Sequence, residues 1–161
     1  VAVYYFDSSA LVKRYAAEVG TVWVRGISSS RANHVIVVSL IGGAEVVAAL
    51  AKRQRIGSID STDAQQAIAD FDSHFRGQYS VTPLTRQIVE RAMSLATTRA
   101  LRGYDAVQLA TALTVSEELT EAGIARITFV SSDVDLNTAA AQEGLSVEDP
   151  QAHPDSHDLT P

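Results

Sequence analysis

Cysteine is absent from the 161 residues, which excludes disulfides and thiolate zinc sites and makes a reducing compartment the natural setting. Long apolar runs are missing as well. The opening run Val1-Ala2-Val3-Tyr4-Tyr5-Phe6 stops at Asp7, short of the roughly 7–15 residues of a signal-peptide core and the about 18 of a membrane span. A cytoplasmic protein without a membrane partner is therefore expected. The nine glycines form neither a P-loop nor a dinucleotide-type phosphate loop. Lysine is scarce: Lys13 and Lys52 are the only two among 13 basic residues, and 19 acids leave a net charge of −6. At first sight that balance opposes a nucleic-acid partner.

What is present describes a folded chain of about one domain in length. The 46 % hydrophobic content is too high for general disorder. From Glu148 to Pro161, however, there are four acids, no Lys or Arg and three of the four prolines. That composition reads as a flexible acidic tail over residues 148–161, leaving a domain over residues 1–147. His153 and His157 stand four apart within it, but Pro154 between them speaks against a helical metal pair.

The body alternates between two patterns. Apolar or β-branched runs at Ala2–Phe6, Val35–Val38 and Ile127–Val130, and weaker ones at Tyr79–Thr82 and Leu145–Glu148, suit strands buried on both faces. Between them Ala64, Ala67, Ile68, Phe71 and Phe75 form one helical stripe, behind an acidic start at Asp60 and Asp63. Ile88, Ala92, Leu95 and Ala96 form another, and Asp105 to about Leu119 reads as a well-buried helix. Strands alternating with helices predict an α/β fold: a three-layer α/β/α sandwich with a mainly parallel sheet of about five strands.

Ligands of such sheets bind beyond the C-terminal strand ends, and acids stand at those places. Asp7 follows the first run, Asp133 follows Phe129-Val130-Ser131-Ser132, and Asp105 heads the buried helix. Each of these three could also cap a helix. Glu45 has no such excuse. It shares a face with Ile41, Ala48 and Ala49, where a carboxylate is costly unless paired with an Arg or bound to a metal. Gly42 and Gly43 beside it permit close backbone approach or serve helix packing. Two carboxylates about 4 Å apart repel by around 4 kcal/mol at an effective dielectric near 20, so converging acids take up protons or bind a cation. An all-oxygen ligand set selects Mg²⁺, or Mn²⁺, over zinc, and such sites commonly serve phosphate chemistry.

Four segments together resemble the PIN-domain family, most closely the VapC-type toxin ribonucleases of toxin–antitoxin pairs. They are Phe6-Asp7-Ser8-Ser9-Ala10-Leu11-Val12-Lys13-Arg14-Tyr15, Glu45 amid small and apolar residues, Leu101 to Ala112 with Arg102-Gly103-Tyr104-Asp105, and Thr128 to Leu136. The resemblance runs from the first strand to about Glu148. It implies a metal-dependent endoribonuclease with an acidic quartet at Asp7, Glu45, Asp105 and Asp133, and supporting hydroxyls at Ser9 and Ser131. It also implies a homodimer and a small antitoxin whose segment enters the active-site cleft. Asp135 fits the start of the next helix better than the fourth acid position. Gln108 departs from the pattern, since many relatives carry histidine three residues after the third acid.

RNA has to be held, and Lys13 and Arg14 are the candidates for backbone contacts. Lys52, Arg53 and Arg55 before Gly57, and Arg102 before Gly103, also suit helix C-termini. Two other classes remain open: a catalytically weak PIN-like binding or regulatory module, and a Mg²⁺-dependent phosphatase or receiver-type domain with an aspartyl nucleophile. The latter wants adjacent acids at the first strand, where Asp7 is followed by Ser8-Ser9. Without the tail the charge is −2, from 15 acids and 13 bases; without the four candidate ligands the remaining body is +2.

Overall fold

Val3 and Tyr5 of the first strand point to one side of a sheet, and Tyr4 and Phe6 to the other, into two separate apolar clusters. That two-sided burial sets the architecture. A computed structural model describes residues 1–124 and 126–155. In chain order the elements are β1 (Val3–Phe6), α1 (Ser8–Leu11), α2 (Thr21–Ser28), β2 (Val35–Ser39), α3 (Leu40–Arg55), α4 (Ser61–Gly77) and β3 (Ser80–Thr82). There follow α5 (Arg86–Thr98), α6 (Gly103–Glu121), β4 (Ile127–Val130), α7 (Val134–Gln142) and β5 (Ser146–Glu148). The five strands form one sheet in the order β3-β2-β1-β4-β5, every neighbouring pair parallel.

One face carries α5, α6 and α7, whose Ile88, Leu95, Leu109 and Leu136 pack on Tyr5, Val37 and Phe129. The other carries α1 to α4, with Leu11, Val24, Val46, Leu50 and Phe71 against Phe6, Ile36 and Val38. This is the expected α/β/α sandwich. The helix stripes read from the sequence match the buried residues of α4 (Ala64, Ala67, Phe71) and α5 (Ile88, Ala92, Leu95). Asp60 caps α4, its side chain accepting from the Asp63 N–H. Gly43 serves packing: a Cβ there would lie 3.0 Å from the Phe75 ring.

The register makes the three central strands end level. Phe6 pairs with Val38 on one side and with Val130 on the other. The chain leaves β1 for β2 and β3 in one direction and returns to β4 on the opposite side, so β1 and β4 flank the point where strand order reverses. That crevice is the usual ligand site of open α/β sheets.

The C-terminal segment departs from expectation. β5 runs through Glu148, so the boundary expected after residue 147 falls inside a strand. Pro150 is buried against Gly20, whose φ of +87° and lack of a side chain are both required: a Cβ there would lie 2.2 Å from the Pro150 carbonyl oxygen. The His153 ring stacks on Trp23 with centroids 4.2 Å apart, and its Nε2 lies 2.9 Å from Glu148 Oε2. Strand pairing and aromatic contact hold residues 148–155 to the body despite their polar composition. The rest of the expected tail, including His157 and Asp158, lies outside the described residues.

Candidate active site

Asp7 sits at the end of β1 and is buried to 3 % exposure. It caps α1, accepting from the Ala10 N–H at 2.9 Å. Ser9 Oγ donates to Asp7 Oδ1 at 2.8 Å, and Ser131 Oγ donates to Oδ2 at 2.8 Å. Each hydroxyl is itself oriented by a backbone donor: the Ser132 N–H gives to Ser9 Oγ and the Asp133 N–H to Ser131 Oγ. Both supporting serines named from the sequence thus act on one carboxylate. Burial pushes the Asp7 carboxyl up to about 7, against the pull of the Ala10 N–H and the two serines, and the nearby Glu45 charge adds to the rise. A half-neutral carboxyl at neutral pH is what a buried acid beside other acids should show.

Glu45 lies on the half-buried flank of α3, not on the buried face made by Gly42, Val46 and Leu50. No arginine pairs with it among the described residues. Instead Ser8 Oγ donates to Oε2 at 2.9 Å, and the Gln108 amide Nε2 donates to Oε1 at 2.6 Å. Gln108 is buried, and its Oε1 accepts from the Tyr5 hydroxyl at 2.6 Å. The amide orientation is dictated by its neighbours, since only the NH₂ end can face a carboxylate while the carbonyl faces a hydroxyl donor. Neither Ser8 nor Gln108 was singled out as a Glu45 partner from the sequence. The signal available was spacing: Arg102, Asp105 and Gln108 recur every third residue, one side of α6.

Asp105 lies in the first turn of α6 and does not cap it; Arg102 occupies the N-cap position. Arg102 therefore stands at a helix N-terminus, not at the C-terminus its Gly103 neighbour had suggested. Burial raises the Asp105 carboxyl above its ordinary range, followed by repulsion from Asp133 and Glu45, while Arg102 opposes the rise. Asp133 caps α7, its Oδ1 accepting from the Leu136 N–H at 2.9 Å, and Asp135 is exposed in that helix's first turn. Glu45, Asp105 and Asp133, with Arg102, line one cavity of about 690 Å³. Asp7 is tied to it through Ser131 and the Asp133 backbone.

The basic pair divides. Lys13 is buried and sits 3.5 Å from Glu18, on the wall of a second cavity that also touches Glu45. Arg14 faces elsewhere, donating to the Tyr79 hydroxyl at 2.8 Å and to Gln78 at 3.0 Å. Residues 12–14 form a 3-10 turn, so consecutive side chains diverge by about 120°. Arg14 does not reach the acidic site.

Among the described residues no three Asp, Glu, His or Cys side chains close on one point as a preformed metal cage would. The donors nevertheless suit a cation that keeps most of its water. Mg²⁺ commonly uses one or two carboxylates and several waters instead of an all-protein cage. Every acid of the group offers oxygen, and the mutual repulsion that raises Asp105 is what a nearby cation relieves.

A three-layer α/β/α body with acids gathered at its strand switch point fits the family resemblance read from the sequence. The PIN domain profile matches residues 4–141, and the chain belongs to the PIN-domain family. Ribonuclease VapC45 of Mycobacterium tuberculosis is 33 % identical over 113 residues, covering 70 % of this chain and 76 % of the relative. Among solved structures, PAE2754 from Pyrobaculum aerophilum superposes with a TM-score of 0.59 at 20 % identity, covering 94 % of this chain and 91 % of the other. VapBC2 from Rickettsia felis, solved bound to a promoter DNA fragment, gives 0.58 at 14 % identity, covering 91 % and 98 %.

Proposed function

We propose that the chain is a divalent-metal-dependent endoribonuclease acting as the toxin of a toxin–antitoxin pair. The observation that carries the reading is the cavity shared by Glu45, Asp105 and Asp133 at the switch point, with Asp7 held behind it. The VapC45 ribonuclease at 33 % identity supports RNA as substrate, and the structural likeness to VapBC2 supports an antitoxin as partner. Asp105, Glu45 and Asp133 would hold Mg²⁺ or Mn²⁺ directly or through water, with Asp7 completing the site.

When bound, the cation supplies positive charge at the phosphodiester and promotes the ionisation of water. The residues of the chain do the rest. Ser9 and Ser131 each donate to Asp7 and favour its charged form. Gln108 and Ser8 fix both oxygens of Glu45. Arg102 at the cavity rim carries the positive charge that faces the substrate's phosphate. An antitoxin Lys or Arg entering the same cavity would take the cation's electrostatic role, which gives inhibition a physical basis. The cytoplasm, where both RNA and antitoxin are met, is the proposed compartment, and a homodimer the proposed assembly. No helix among the described residues is long and apolar enough to cross a membrane.

Incubation of the purified chain with a panel of structured RNAs tests the reading. Discrete fragments should form in Mg²⁺ or Mn²⁺, vanish in EDTA and return when the metal is restored. Cleavage indifferent to EDTA would overturn the metal-dependent mechanism.

A further inference from the structure

Beside the acidic cavity lies a second one, of about 660 Å³, with opposite charge. Lys13, Lys52, Arg53 and Arg102 line it against only Glu18 and Glu45, leaving two positive charges in excess. The acidic cavity shows the reverse, with Glu45, Asp105 and Asp133 against Arg102. Glu45 and Arg102 belong to both walls, so the two cavities adjoin. The sequence makes Lys13 a candidate for RNA-backbone contact and leaves Lys52, Arg53 and Arg102 to helix C-termini; the fold brings all four together from the 3-10 turn after α1, from α3 and from the head of α6.

The basic cavity is built for a ligand in three respects. Lys13 is a buried cation whose ion-pair partner among the described residues, Glu18, also binds Arg53 at 3.1 Å. Two cations thus share one carboxylate. Lys52 and Arg102 make no ion pair within 4.0 Å among the described residues, although Arg102 acts on Asp105 from a longer range. Ser8, Ser9 and Ser132 bring hydroxyl-bearing side chains to the same wall.

We propose that this cavity is a phosphate-binding subsite that holds the RNA backbone on the side leading away from the acidic centre. The proposal rests on the ribonuclease reading and deepens it. The polyanion would cross the junction at Glu45 and Arg102, its reacting phosphate over the acids and its next phosphates among Lys52, Arg102 and the paired Lys13 and Arg53. The lining favours a phosphate chain over a peptide: it offers cations and hydroxyls, and its apolar side chains among the described residues are Val12 and Ala49.

The test is fluorescence anisotropy of a labelled 12-nucleotide single-stranded RNA in EDTA, across a KCl series, with the full chain and its variants. Lys52→Ala and Arg102→Ala should each weaken binding about 3- to 10-fold, and each lost phosphate contact should flatten the log–log salt slope by about 0.7. Arg86→Ala, which removes an exposed cation that lines neither cavity, should change neither. Glu18→Gln should act oppositely and tighten binding, because it removes the acid shared by Lys13 and Arg53. If the wild type binds RNA and the Lys52→Ala/Arg102→Ala double variant binds it equally well with the same slope, the subsite is refuted while the ribonuclease reading stands. If the wild type binds no RNA at any salt, both fall. Unchanged RNA binding together with loss of a co-expressed antitoxin from the double variant would give the cavity to a protein and likewise overturn the proposal.

Discussion

At the scale of single residues, Gln108 shows how one substitution in a family pattern can be accommodated. It joins the buried Tyr5 hydroxyl to Glu45 through two bonds of 2.6 Å. Gln108→Leu keeps the volume but leaves a hydroxyl and a carboxylate oxygen without their partner. A loss of about 2–4 kcal/mol is expected in urea unfolding; a loss within 0.5 kcal/mol would show that neither bond matters. Asp7 gives a pH prediction. Burial raises its carboxyl to about 7, so the folded protein holds this proton more tightly than the unfolded chain. In metal-free protein that contribution is complete below about pH 4 and is lost as pH rises through about 7. Asp105, also raised, acts in the same direction. Urea midpoints in EDTA should therefore be higher near pH 5.5 than near pH 8, and the reverse order would contradict the burial argument. Added Mg²⁺ should narrow the difference by favouring the charged forms.

Among the elements, α2 and the C-terminal segment hold each other. Gly20 precedes α2 in a left-handed conformation directly under the Pro150 carbonyl. Gly20→Ala should cost about 1–3 kcal/mol from backbone strain alone and displace the segment. The single tryptophan, Trp23, stacks on His153 and reports on this: its emission should shift to the red in Gly20→Ala and in His153→Ala. Unchanged emission in both would show that the segment is not held there. The five strands and the stripes of α4 and α5 were legible in the sequence because burial on one or both faces leaves a periodic apolar record. The C-terminal contact was not, since stacking of one His on one Trp leaves no periodicity and a polar, proline-bearing stretch looks like a tail. Asp7 and Asp133 are legible as acids at strand ends and Glu45 as a helical carboxylate among apolar residues, but which of the acids are occupied by capping is not. Capping occupies Asp7 and Asp133, whereas Asp105 caps nothing. Lys13 and Arg14 are adjacent in sequence, and only the 3-10 turn separates their directions.

For the whole molecule, the register that levels β2, β1 and β4 gathers the acids at one end of the sheet, and the same end collects the cations beside them. The net charge of −6 therefore says little about partners; its distribution says more. The acidic cavity is proposed to cleave RNA with a divalent cation. Asp105 is the sharpest probe, because it makes no helix cap and its removal disturbs the fold less than loss of the buried Asp7. The deciding measurement is single-turnover cleavage of one RNA from the panel, in saturating Mg²⁺, by the wild type and by Asp105→Asn with matched urea midpoints. The expected result is a loss on the order of 100-fold or more, equivalent to about 2.7 kcal/mol of transition-state stabilisation. Equal rates in the two proteins would contradict the assignment of the cavity as the reaction centre.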